Sequence, residues 1–189
     1  MHGTDRYEYD AKGCGCSGVA GRRTIQVNVN IVTADLDNST HQAAILHLLN
    51  TYALELQGYN KPLPETVLAE LIPEIRKIPT ARVFLAETKG MYIGMAVCFL
   101  GFSTFYARPV INIHDFTVLK EYRGTGIGSR LLQAVEEKAV ELGCGKITLE
   151  VQEKNTEAIR LYERYGFEES VLDESEGRAL FLSKILSKG

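Results

Sequence analysis

The chain has 189 residues, 45% of them hydrophobic, enough for one good-sized core and too few for two typical domains. Lysine and arginine number 21 against 24 acidic residues, a net charge of −3 with no long basic block, which argues against nucleic-acid backbone binding as the main business. No apolar run reaches membrane-spanning length, and the first twenty residues are polar and glycine-rich rather than signal-like, so a soluble cytoplasmic protein is expected.

In chain order, residues 1–20 read as a flexible N-terminal extension, and residues 21–189 as a single domain. Cys14 and Cys16 lie in that extension with no second Cys/His pair nearby, so neither a zinc site nor a disulfide framework is implied, and no metal is expected. From Thr24, Ile25, Val27, Val29 and Ile31 alternate with Gln26, Asn28 and Asn30, a half-buried strand to Thr33. Asp37-Asn38-Ser39 offers N-cap chemistry for a helix from Thr40 to Glu55, with Ile45, Leu48, Leu49, Tyr52 and Leu56 on one face. Pro64 suits the first turn of a second helix, with Val67, Leu68, Leu71 and Ile72 inward and Pro73 kinking or ending it.

Strands are expected near Arg82–Glu87 and Met91–Phe102, then from Val110 to Leu119. A charged corner, Lys120-Glu121-Tyr122-Arg123, leads into Gly124, Gly126 and Gly128 and an amphipathic helix carrying Ile127, Leu131, Leu132, Val135, Ala139 and Leu142 on one stripe. A further strand spans Lys146–Val151, and Asn155-Thr156 opens a helix that closes at Tyr165-Gly166. Strands near Phe167–Leu172 and Arg178–Leu186 complete a mixed α/β order with one core; an exposed edge there would support a homodimer.

The strand–glycine–helix stretch is a recipe for holding phosphate, because glycines admit an anion close to the backbone and first-turn N–H groups lack intrahelical partners. A P-loop fails, since Gly128 is followed by Ser129-Arg130 rather than Lys-Ser/Thr. A dinucleotide fingerprint fails as well, since Ser129 stands where the third glycine belongs. Arg123-Gly124-Thr125-Gly126-Ile127-Gly128 fits Arg-x-x-Gly-x-Gly, and so resembles the acyl-CoA pyrophosphate loop of the GNAT N-acetyltransferase superfamily.

The element order over residues 25–186 resembles that superfamily too. The resemblance implies a central mixed, largely antiparallel sheet of about seven strands with a splayed parallel pair, flanked by about four helices. It also implies acetyl-CoA as donor and an amine as acceptor. On that pattern the loop from Arg123 to Ser129 (Thr125, Ile127 and the three glycines included) and Asn155 hold cofactor, while the backbone at Phe116, Thr117 and Val118 polarises the thioester.

Acetyl transfer needs a neutral amine, a stabilised oxyanion and a proton for the leaving thiolate. Asn155 and Tyr162 are seven apart and share a helix face, and the family sets such a pair against the cofactor, with Tyr162 as acid. Glu150 stands five before Asn155, where the similar ribosomal-protein alanine acetyltransferases carry a glutamate, and is the first candidate base.

His114-Asp115 occupies the place of an acidic Glu-Asp pair in polyamine acetyltransferases; His114 departs from that pattern, and strand alternation lets only one of the two reach the site. His114 is a second base candidate, and a core histidine is an equal reading. Tyr52, Tyr59 and Phe102–Tyr106 are candidates for the acceptor pocket. A small primary amine (polyamine, amino acid, aminoglycoside or aminophosphonate) is the first acceptor expected, a protein N-terminus or lysine the second. A non-catalytic acyl-CoA-binding module is the rival from another class.

Overall fold

A computed structural model describes residues 28–55 and 60–169. The expected N-terminal extension, the beginning of the first strand, Leu56, Tyr59 and the end of the chain with its last strand lie outside those residues. The described elements run β1 (Asn30–Thr33), α1 (Ser39–Ala53), α2 (Glu65–Ile75), β2 (Ala81–Thr88), β3 (Met91–Ser103), β4 (Arg108–Val118), α3 (Ile127–Glu141), β5 (Lys146–Leu149) and α4 (Thr156–Arg164). They form a mixed α/β fold whose sheet follows the order β1-β2-β3-β4-β5, antiparallel throughout except for β4 against β5. Residues 167–169, expected as the start of another strand, are irregular.

Alternation sorts the sheet into two faces, each covered by two helices. Val83, Leu85, Met95 and Val97 pack under Ile45 and Leu48 of α1 and Ile72 and Ile75 of α2. Phe84, Ala86, Ala96, Cys98, Ile111 and Ile113 pack under Ile127, Leu131, Leu132 and Val135 of α3 and Tyr162 of α4. Burial of side chains such as Leu131 and Leu48 stabilises the sandwich by about 1.5–3 kcal/mol each. The apolar stripe of α3 is the one its sequence predicts. In α1, Asn38 is the N-cap, its side chain accepting from the N–H groups of Thr40 at 2.8 Å and His41 at 3.4 Å.

Two local expectations change. Pro73 does not end α2, which runs on to Ile75; the buried Ile72 and Ile75 hold that last turn down, while Val67, expected inward, is exposed. Proline removes one hydrogen bond there, yet the packing on either side of it keeps the turn helical. In β4, Val97 pairs with Asp115 and Cys98 with Ile113, so His114 is an extra, bulged residue. Ile113 and Phe116 both pack on the α3–α4 side. The two residues between them therefore share the opposite face: Asp115 opposite Val97, and His114 with its ring edge-on to Phe99 at 5.6 Å. Strict alternation, which would have separated the pair, fails at this bulge.

Candidate active site

The parallel pairing of β4 with β5 covers only Val110–Ile113 against Lys146–Leu149. Asn112 Nδ2 donates across it to Thr148 Oγ1 at 3.1 Å. Beyond that the chain leaves β5 at Glu150, two residues before the expected end, and turns so that Asn155 N–H donates to the Gln152 carbonyl at 2.8 Å. β4 continues from His114 to Val118 with β3 on one side and, among the described residues, no strand on the other. The two strands thus part, and the gap between them is a cavity of about 1050 Å³.

The phase of the β3–β4 ladder fixes which backbone groups face that gap. Leu119 N–H donates to the Ile93 carbonyl at 2.9 Å, so alternate residues Thr117 and Asp115 also turn their backbone groups to β3. Phe116 and Val118 turn theirs the other way, into the gap. Of the three residues expected to offer an N–H there, Thr117 gives its amide to the ladder, although it too lines the cavity.

The wall after β4 is the glycine loop. A 3₁₀ turn, Lys120–Tyr122, carries the chain into it, and Gly124 and Gly126 take φ of +75° and +89°, which side-chain-bearing residues rarely adopt. Gly126 is the N-cap of α3 and no side chain caps the helix, so its first N–H groups point out of the helix end. Gly128 gives close packing instead: a Cβ there would lie 2.8 Å from Leu161 Cδ2 of α4 and push that methyl aside. Gly124, Gly126, Gly128 and Ser129 line the cavity. The side chains of Thr125 and Ile127 turn elsewhere: the Thr125 hydroxyl donates to the Tyr122 carbonyl at 2.6 Å, and the Ile127 side chain is core. Arg123 also reaches the cavity, but its side chain is engaged within the fold. Nε donates to the Val118 carbonyl at 2.8 Å and NH2 to Glu55 Oε1 at 2.5 Å.

The facing wall is α4. Asn155 caps it, accepting from the Ala158 N–H at 3.3 Å through Oδ1, and Tyr162 follows two turns later; both line the cavity. The Tyr162 ring is 7% exposed, edge-on to Phe116 at 5.9 Å and to Phe167 at 5.7 Å. Burial first, and the nearby Tyr52 phenol second, push its pKa up to about 12. It is therefore a protonated phenol at any working pH. Glu150 is exposed on the cavity rim where the strands part. His114 lines the cavity as well, whereas Asp115 does not. Asp115 lies half-buried on the α1–α2 face, its carboxyl pKa raised by burial, with His114 opposing the rise.

The cavity has contributors that sequence reasoning did not name. Glu55 comes from the turn after α1, and Glu157, Arg160 and Arg164 from the exposed side of α4. The 157/160/164 spacing is a helical stripe and was available as a signal; the Glu55 contribution needs a partner 68 residues away and was not. Tyr52 lines the cavity as expected, while Phe102, Phe105 and Tyr106 are exposed around the β3–β4 turn at the other end of β4 and take no part in it. Tyr59 lies outside the described residues. Among the described residues no group of three or more His, Cys, Asp or Glu side chains stands close enough to hold a metal ion, and no helix is long and apolar enough to cross a membrane.

Comparison with known proteins agrees with this geometry. The model of the Acetyltransferase (GNAT) family matches residues 48–167, from the middle of α1 to just past α4. The chain belongs to the GNAT acetyltransferase family. It is an N-acetyltransferase by that membership and by its relatives. Thialysine N-epsilon-acetyltransferase of Mus musculus is 30% identical over 146 residues, 76% of each chain. N-alpha-acetyltransferase MAK3 of Arabidopsis thaliana is 39% identical over 84 residues, 44% of this chain and 43% of that one. A possible acetyltransferase from Clostridium difficile 630 superposes with a TM-score of 0.69 at 17% identity, over 84% of this chain and 99% of that one, a likeness of fold. In this chain the parted strands, the glycine loop and the helix bearing Asn155 and Tyr162 meet on one cavity.

Proposed function

We propose that the protein transfers an acetyl group from acetyl-CoA directly to the primary amine of a small molecule of the polyamine, amino acid, aminoglycoside or aminophosphonate type. The observation that carries this reading is the open edge of β4, where Phe116 and Val118 turn their N–H groups into a cavity walled by the glycine loop and α4. The residues present fit acetyl-CoA. The uncapped N-terminus of α3 behind Gly124 and Gly126 suits a diphosphate, and the β4 edge offers ladder-type partners to an amide-bearing arm. Asn155 borders the same path, and Arg160 and Arg164 add positive charge to the wall. When bound, acetyl-CoA supplies an activated thioester.

The chain's own groups then divide the work. The Phe116 and Val118 N–H groups favour negative charge on an oxygen placed between the strands, with little reorganisation because the ladder already holds them. Glu150, on the rim and open to water, takes the proton of the incoming ammonium group. Tyr162 donates its phenolic proton to the departing sulfur; its raised pKa ensures that this proton is present. His114, on the cavity wall, borders the acceptor side, and the bulge sets Asp115 behind it on the same face. Few cysteines and no disulfide pattern support the cytoplasm as the compartment.

Support for a small acceptor comes from the mouse thialysine enzyme, which spans three-quarters of each chain. The Arabidopsis N-alpha-acetyltransferase and the Glu150–Asn155–Tyr162 spacing favour a protein amine as the second reading. Thiol release from acetyl-CoA, measured over a panel of small amines and short peptides with CoA binding followed by calorimetry, decides. Release that depends on small amines is the expected result. Release with peptides alone would move the acceptor to protein, and tight CoA binding without turnover would leave a binding module.

A further inference from the structure

The guanidinium of Arg123 joins parts of the site that are remote in sequence. Nε donates to the Val118 carbonyl at the end of the open β4 edge, and NH2 to the Glu55 carboxylate in the turn after α1. The pair is at 2.5 Å with side chains 33% and 22% exposed, so it is only partly screened by water. The Glu55 turn is where the α1–α2 connection leaves and returns. Asn60 N–H donates to the Glu55 carbonyl at 3.3 Å and Lys61 N–H to the Ala53 carbonyl at 3.2 Å. Glu55 N–H donates to the Tyr52 carbonyl at 3.0 Å, which ties the same turn to the tyrosine that lines the cavity opposite α4.

We propose that Glu55 is a positioning residue: through Arg123 it fixes the last turn of α1, and Tyr52 with it, against the start of the glycine loop, so that the acceptor side of the cavity is held in place by the donor side. This deepens the acetyl-transfer reading and rests on it. The carboxylate acts through the guanidinium and holds neither substrate. A glutamate holding an ammonium group directly would do the opposite, competing with Arg123 for it.

The test compares Glu55→Gln, Arg123→Gln and the double variant. In the ligand-free protein, Glu55→Gln speeds amide hydrogen exchange at residues 54, 55, 60 and 61 by about fivefold or more, while the amides of α3 are unchanged. In steady-state kinetics at saturating acetyl-CoA, Glu55→Gln raises the amine KM about fivefold with kcat nearly unchanged. Arg123→Gln raises it by a similar factor, and the double variant no further, because both remove one strap. Unchanged exchange in Glu55→Gln overturns the proposal. So does an amine KM that rises in Glu55→Gln but stays level or falls in Arg123→Gln, which would make Glu55 the ammonium's own partner. A wild-type protein that turns over no amine would refute acetyl transfer, while the exchange experiment would still decide the strap.

Discussion

Tyr162 shows what burial does to one side chain. Two aromatic edges and a low exposure hold its phenol neutral, and the same surroundings aim it into the gap. Tyr162→Phe keeps the packing and removes the proton, so kcat should fall by roughly 10²-fold with CoA affinity unchanged, as steady-state kinetics and calorimetry would show. Because the pKa is about 12, the wild-type rate should stay level as pH rises through 10, where an ordinary tyrosine would lose its proton. The cysteines give the complementary evidence. Burial, then the Asp115 charge, pushes the Cys98 thiol up to about 12, and burial raises Cys144 too. Neither offers a thiolate for a covalent acetyl carrier.

At the scale of elements, the site depends on α3 and α4 meeting closely at Gly128. Its missing side chain leaves room for Leu161, with Phe116 next to both. Gly128→Ala gains about 0.5–1 kcal/mol of backbone entropy and forces the Leu161 methyl aside at a cost of about 1–2 kcal/mol, so its effect on stability is small. The larger effect falls on function, since the shifted α4 side chain neighbours Asn155 and Tyr162: thermal unfolding should move by no more than a few degrees, while CoA affinity drops by about tenfold in calorimetry. Helices and strand cores were legible in the sequence because their cause is local; the stripe of α3 and the Asn38 cap needed only spacing and side-chain chemistry. The bulge at His114 was not, because a bulge is decided by register against β3, and it reverses the expectation that His114 and Asp115 part company. Pro73 does not end α2 for a similar reason, the packing of Ile72 and Ile75 outweighing a local helix breaker.

Across the whole molecule, the two helical layers do different work. The α3–α4 layer carries the glycine loop, Asn155 and Tyr162, and the α1–α2 layer closes the cavity with Tyr52 and Glu55. The sheet between them supplies the gap, because β5 stops at Leu149 while β4 runs on to Val118. Motif spacing located the loop and the Asn/Tyr helix, whereas the parting of the strands came into the reading only through family resemblance; no residue pattern marks where a parallel pair ends. The Arg123–Glu55 pair, spanning 68 positions, belongs to this scale and is invisible below it.

Direct transfer inside one cavity is the claim on which the rest hangs. Initial rates measured against acetyl-CoA at several fixed concentrations of a small amine test it. Donor and acceptor held together between β4 and α4 predict double-reciprocal lines that intersect, with no acetylated protein after incubation with acetyl-CoA alone. Parallel lines, with an acetyl group trapped on the chain, would show a covalent carrier and contradict the account.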